Sequence, residues 1–369
     1  MKELLAHIKD KTLSSIADKV LEGKRITPEE GIILYEKATL PLLGVLAESV
    51  RRRINYCNVY FNRNFHIEPT NICINDCIFC SFRSQPGNNE KWEYSINDMI
   101  KIVESLANNE ITEIHITGGV HPDRDINFYC DLLNKIRLIR PSIHIKAFSA
   151  IELDYMFSRS GLTVEEGLNM LKESGLGSIP GGGAEIFADE IRSKICPGKT
   201  SSEKWLQIHE TAHRLGIYSN ATMLYGHIEN YSHRIDHMER LRRLQDKTRG
   251  FNAFIPLKYR KNNNPLYKKG EVNLLEDMRN FAIARIYLDN FRHIKTYWPM
   301  LGKEHSQISL SFGADDLDGT IYDTTKIYSM AGAEEKNPSM SINEICTLIR
   351  RAGYKPVERD SLYNIVKEW

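Results

Sequence analysis

From Phe65 onward, β-branched and aromatic residues gather in short runs separated by segments of helical period. The runs are Phe65–Thr70, Glu113–Thr117, Ile143–Ser149, Gly177–Pro180, Tyr218–Tyr225, Phe251–Leu257, His293–Trp298 and Gln307–Phe312. Eight predicted strands alternating with helices imply a parallel sheet, and eight is the number that closes a barrel. The expected fold class is therefore α/β, a (β/α)8 TIM-type barrel, closed or partly open. Gly177–Pro180 is the weakest of the eight runs, and without it the barrel would open further. Between the runs, Ile96, Met99, Ile100, Val103 and Leu106 share one helical face behind a Ser95-x-x-Asp98 cap. Thr163-x-x-Glu166 and Thr200-x-x-Glu203 open two more helices, and Gly175 and Gly216 stand where helices should stop.

Residues 1–60 read as an N-terminal helical extension, with Thr27-Pro28-Glu29-Glu30 as a helix start and Arg51-Arg52-Arg53 as an exposed helix end. Residues 61–325 would form the barrel and 326–369 a short C-terminal helical extension containing a helix near Ser341–Arg351. No solenoid-length repeat or low-complexity segment interrupts this order.

The strands carry a second pattern. His66, Glu68 and Thr70 fall on one face of the first run, and His115 and Thr117 on one face of the second. His144, Lys146 and Phe148 alternate likewise, as do His293, Lys295 and Tyr297, while isoleucines hold the opposite faces. Charged groups without partners do not sit in a dry core. The aliphatic face should therefore meet the helices, and the polar face should line a ligand-filled chamber.

Composition narrows the function. Forty-nine Lys+Arg against forty-eight Asp+Glu leave a net charge of +1. That balance argues against a protein that coats nucleic acid. No apolar run reaches the length of a membrane span, since Thr39 and Pro41 interrupt the best candidate, Ala38–Ala47. Met1–Ser15 lacks the continuous apolar stretch of a secretory signal, so a cytoplasmic protein is expected. Seven cysteines fit that setting better than a disulfide framework does. Cys57, Cys130, Cys196 and Cys346 are scattered, whereas Cys73, Cys77 and Cys80 form C-x3-C-x2-C directly after the first strand.

Structural zinc asks for four protein ligands, usually in two pairs. Three thiolates with no fourth nearby suit an iron–sulfur cluster with one iron open to a small molecule. The position after a strand is where barrel enzymes keep their sites. With Phe79 before the last cysteine, the motif resembles that of the radical S-adenosylmethionine enzymes. The resemblance implies a 4Fe–4S cluster on Cys73, Cys77 and Cys80, with S-adenosylmethionine consumed as co-substrate. It places Phe79, Thr117, Gly118, Gly119, Ser149 and Glu185 at the S-adenosylmethionine site, the glycine backbone approaching the methionine amino group. Within that superfamily, His115–Pro122, His144–Phe148, Pro180–Phe187, Lys194–Lys199, Asn220–Glu229 and Ser311–Gly319 resemble the aminofutalosine synthases of menaquinone biosynthesis. Several segments are shared with the dehypoxanthine futalosine cyclases and, more loosely, the deazaflavin-forming synthases. His144–Phe148 and Ile294–Trp298 favour the synthases. The implied substrate is 3-[(1-carboxyvinyl)oxy]benzoate, and the implied reductant is a flavodoxin or ferredoxin.

Such a substrate carries two carboxylates, for which buried cationic or amide donors are needed. His66, Arg83, Lys146, Asn220 and Lys295 are the candidates, with Glu68 orienting a neighbour. Arg83 reads equally as a surface arginine, and Glu185 as a ribose ligand or a helix-start carboxylate. Asp315, Asp316 and Asp318 read as turn formers or ligand contacts. His209-Glu-Thr-Ala-His213 is a literal zinc-hydrolase signature. Trp205, Ile208, Ala212 and Leu215 form an apolar stripe on the same helix, which marks it instead as part of the outer shell. An electron-transfer module, the third reading, needs no barrel of this size.

Overall fold

In the computed structural model, strands β1 (Asn58–Asn62) to β11 (Ile365–Glu368) divide between two sheets. Residues 8–84, 91–106, 109–321, 326–333, 336 and 338–369 are described; residue 325, the expected end of the barrel, lies outside them. The larger sheet runs β2 (Asn64–Ile67), β3 (Glu113–Ile116), β4 (His144–Ala147), β5 (Leu176–Ile179), β6 (Tyr218–Tyr225), β7 (Phe251–Lys258) and β8 (His293–Ile294) in sequence order. Every neighbouring pair is parallel, and helices fill the crossovers, as the right-handed βαβ unit requires. The result is a curled, partly open TIM-type barrel. The Gly177–Pro180 run does form a strand.

The eighth strand is elsewhere than expected. Gln307–Phe312 is helical, split between Lys303–Ser309 and a 3-10 turn at Leu310–Phe312. Gly302 (φ 92) and Gly313 (φ 95) bound this helical stretch. Phe312 packs beside Gly44 of the N-terminal helix Leu40–Asn55. The strand next to β8 is β9 (Asp316–Gly319), joined to it by a Lys295–Asp316 bridge and paired on its other side with β1. Because β1 runs into β2, this arrangement brings the ends of the open sheet together. β10 (Lys355–Arg359) and β11 complete the smaller sheet, in the order β11-β10-β1-β9. The C-terminal extension thus holds two strands as well as its expected helix, Ile342–Arg351.

The N-terminal helices Lys11–Leu21, Pro28–Lys37 and Leu40–Asn55 cover one side of the barrel. Thr27 and Glu30 close a full capping box on the second. Arg51 is not at an exposed helix end. It is fully buried, paired with Glu48 at 2.8 Å and stacked over Tyr354, while Arg52 stays exposed. Ser201, one residue after the expected Thr200, caps the helix Ser202–Arg214. Among the described residues no helix is long and apolar enough to cross a membrane.

Candidate active site

The carboxyl ends of the larger sheet surround a cavity of ≈ 290 Å³. Its upper wall is the loop after β2, where Cys73, Cys77 and Cys80 face the same space as free thiols. Backbone bonds pin the loop from three sides: Ile74 N to Val120 O at 3.0 Å, Ile78 N to Ile195 O at 2.9 Å, and Ser84 N to Asn71 O at 2.8 Å. Burial pushes the Cys77 thiol up to about 12 and raises Cys80 as well. Gly118 and Gly119 lie directly under the loop. A Cβ at Gly119 would stand 2.2 Å from the Ile72 carbonyl oxygen, so seating the cysteine loop alone demands glycine there.

Beside these glycines is a residue that the sequence reading missed. Glu152 accepts hydrogen bonds from Thr117 Oγ1 (3.0 Å), Gly118 N (3.2 Å), Ser149 N (2.7 Å) and Ser149 Oγ (2.7 Å). It therefore ties the ends of β3 and β4 together. Burial raises its pKa to about 7 against the pull of those donors. The Ser149-x-x-Glu152 capping box is its sequence signal. Glu185 also lines the cavity, but its carboxylate is engaged by Lys199 at 2.6 Å. The Lys199 ammonium lies 5.6 Å from the centre of the Phe79 ring.

Deeper in, the polar faces of the strands meet. Lys146 pairs with Glu113 and Lys295 with Asp318, both at 2.7 Å and all four buried. Burial alone would raise the two carboxylic acids; the lysines reverse this and hold both well below the usual carboxylate range. Burial lowers Lys146. His66 and His115 stand 3.3 Å apart, and burial lowers His66 to about 4 and His115 well below its ordinary value. Asn220 and Arg83 also line the cavity, the latter bonded to the Asn75 carbonyl at 3.2 Å and paired with Asp76. Glu68 faces the cavity too. Its carboxylate accepts from the backbone N–H groups of Lys326 (2.8 Å) and Ile327 (3.3 Å), so it seats the helical turn Ile327–Met330.

The strand alternation breaks at its ends. Phe148, at φ 62, turns away and packs on Tyr129 of the outer helix Ile126–Ile139. His144 bonds Ser178, His293 bonds Asp315, and Thr70 bonds the Trp92 carbonyl; none lines the cavity. The three aspartates separate by role. Asp315 holds Arg285 and His293, and Asp316 holds Arg359, both in fully buried pairs, whereas Asp318 faces the chamber.

Comparison with known proteins agrees with this geometry. The family described as "Radical SAM superfamily" matches residues 67–241, and the "CofH/MqnC C-terminal region" matches 248–368. Aminodeoxyfutalosine synthase of Thermus thermophilus is 44% identical over 98% of each chain. The chain belongs to the radical SAM superfamily. Cyclic dehypoxanthine futalosine synthase of Streptomyces coelicolor is 38% identical over 95% of this chain and 88% of its own. An Archaeoglobus fulgidus 5-amino-6-(D-ribitylamino)uracil–L-tyrosine 4-hydroxyphenyl transferase is 40% identical over 87% and 92%. The solved structure of methylornithine synthase shares the fold at a TM-score of 0.73, covering 92% of this chain and 97% of its own at 16% identity.

Enzymes of the radical SAM superfamily use a 4Fe–4S cluster and S-adenosylmethionine. The donor set here fits the cluster: three soft thiols on one cavity wall, their loop pinned by backbone bonds. Among the described residues, the other four cysteines lie outside that cavity. Thiols that burial keeps protonated become ligands once a metal displaces their protons. The zinc-hydrolase signature has no such arrangement. His209 Nδ1 and His213 Nε2 both meet Ser219 Oγ at 2.8 Å, while Glu210 pairs with Lys247 at the surface. Among the described residues no three His, Cys, Asp or Glu side chains gather around a single-ion site.

Proposed function

We propose that this radical SAM enzyme is an aminofutalosine synthase, with Cys73, Cys77 and Cys80 holding its cluster. The observation that carries the reading is 44% identity to a synthase along 98% of both chains, against 38% to the cyclase. When bound, the cluster and S-adenosylmethionine supply an adenosyl radical for addition to the enol-ether double bond of 3-[(1-carboxyvinyl)oxy]benzoate; rearrangement onto the ring and loss of CO2 or bicarbonate then give 6-amino-6-deoxyfutalosine.

The chain's own part is to bind, orient and keep water out. Phe79, Thr117, Gly118, Gly119, Ser149 and Glu185 line the upper chamber, where S-adenosylmethionine would lie against the cysteine loop. Glu152 sets the spacing of Thr117, Gly118 and Ser149. Lys146 and Lys295, with Arg83 and Asn220, supply charge-assisted and neutral donors for two carboxylates, and His66 lines the same chamber. Glu113 and Asp318 pair with the two lysines in a buried setting, and Glu68 fixes the turn that roofs the substrate space. Ile255, Leu257 and Met300 give an apolar wall to the aromatic ring. A flavodoxin or ferredoxin as electron donor and a cytoplasmic setting belong to the same reading.

Reconstituted, reduced protein should convert S-adenosylmethionine and the enol-ether benzoate into an adenosyl–benzoate adduct detectable by mass. Release of 5′-deoxyadenosine alone would point to hydrogen abstraction, as in the cyclase reading. Cys77→Ala should abolish both bound 4Fe–4S absorbance and turnover; full turnover in that variant rules out the cluster assignment.

A further inference from the structure

Strand register lays a row of polar side chains across the chamber floor, with His66 opposite His115 and His115 opposite Lys146. His115 Nδ1 meets His66 Nε2 at 3.3 Å, and His66 Nδ1 meets the Tyr297 hydroxyl at 3.5 Å. The remaining His115 nitrogen, Nε2, is buried in the chamber wall without a hydrogen-bond partner among the described residues. Both imidazoles are neutral at pH 7, because burial disfavours the charged form. A phenol is a stronger proton donor than a neutral imidazole, so Tyr297 donates to His66 Nδ1. His66 then carries its proton on Nε2 and donates to His115 Nδ1. His115 is left with a proton on Nε2 pointing at nothing, and a buried N–H in that state calls for an acceptor.

We propose that His115 Nε2–H anchors the ring carboxylate of the enol-ether benzoate; this rests on the synthase reading above. A carboxylate is acceptor-only and completes the chain from Tyr297. Depth selects the ring carboxylate over the vinyl one. The reacting double bond must lie by the cysteine loop, near Thr117 and Gly118. His115 stands two residues earlier on β3, roughly 7 Å deeper at a rise of about 3.3 Å per residue. The meta carboxylate is the part of the substrate that reaches that far. Lys146 stands beside His115 in register, and the Lys146–Glu113 and Lys295–Asp318 pairs together leave the floor close to neutral.

The test measures binding of the enol-ether benzoate to cluster-loaded, unreduced protein with S-adenosylmethionine by calorimetry. His115→Leu should weaken binding at least ~tenfold, the scale of a hydrogen bond to a charged group. His115→Gln, whose amide nitrogen reaches the Nε2 position, should stay within ~threefold, with S-adenosylmethionine affinity unchanged in both. If the leucine variant fails to load iron, His115→Met takes its place. With 2-phenoxyacrylate, which lacks the ring carboxylate, wild type and leucine variant should bind alike. Equal binding of the benzoate by wild type and leucine variant overturns the anchor, as does a loss that persists with 2-phenoxyacrylate. A wild type that neither binds nor converts the benzoate overturns the synthase reading and the anchor with it.

Discussion

Gly119 and Ile72 touch where two loops cross, and neither backbone can yield without moving Cys73. Gly119→Ala should therefore lower iron bound per chain by more than half, measured after reconstitution, while far-ultraviolet circular dichroism stays near wild type. A fully loaded alanine variant would show that the loop has room to shift. Residues of this kind divide by what the sequence discloses. The cysteine triplet is legible because its ligands lie within eight residues and their spacing is itself the signal. Glu113 is not, since its partner Lys146 is 33 positions away and their meeting depends on the register of β3 against β4. Asp318 was one of three equivalent aspartates until pairing sent Asp315 and Asp316 to buried arginines and left it facing Lys295. Lys199 lay in a recognised segment but lacked a role until Glu185 and Phe79 came beside it.

At the level of elements, most strands and helices were readable, because period-two and helical-period stretches alternate cleanly and carry caps. Gln307–Phe312 misled, since Ile308, Leu310 and Phe312 alternate with polar residues as a strand would. Packing against the helix Leu40–Asn55 prevailed over that pattern. The true neighbour of β8, Asp316–Gly319, is only four residues long and has Leu317 as its one apolar side chain, too little for a hydrophobic signature. It is held instead by the buried Asp316–Arg359 pair, which links β9 to β10 across β1. Arg359→Ala removes the cation that faces the buried Asp316 carboxylate, a change that costs about 3–5 kcal/mol. Urea unfolding should register that loss, and an unchanged midpoint would mean that the pair is dispensable.

Across the whole molecule, buried histidines set the response to acid. Burial lowers His66 and His213 to about 4 and His237 to about 3. Each folded-state value lies below the ordinary 6.5, so the unfolded chain binds more protons between pH 6.5 and 4. Stability present above pH 6.5 is therefore lost as pH falls through that window, by about 3 kcal/mol at most for His66 or His213. The melting temperature should drop steeply from pH 6.5 to 4. His213→Gln, remote from the chamber, should flatten that drop; a slope identical to wild type would assign acid sensitivity to other groups.

Strand β1 has consequences for assembly. Asn58 pairs with Lys355, so a segment made early must wait for a partner synthesised about 300 residues later. Such long-range closure slows folding and leaves an exposed edge in the nascent chain. On the ribosome, the barrel's first strands can gather around their helices, but the seam joining its two ends stays unzipped until β9, about 260 residues after β1, has been made.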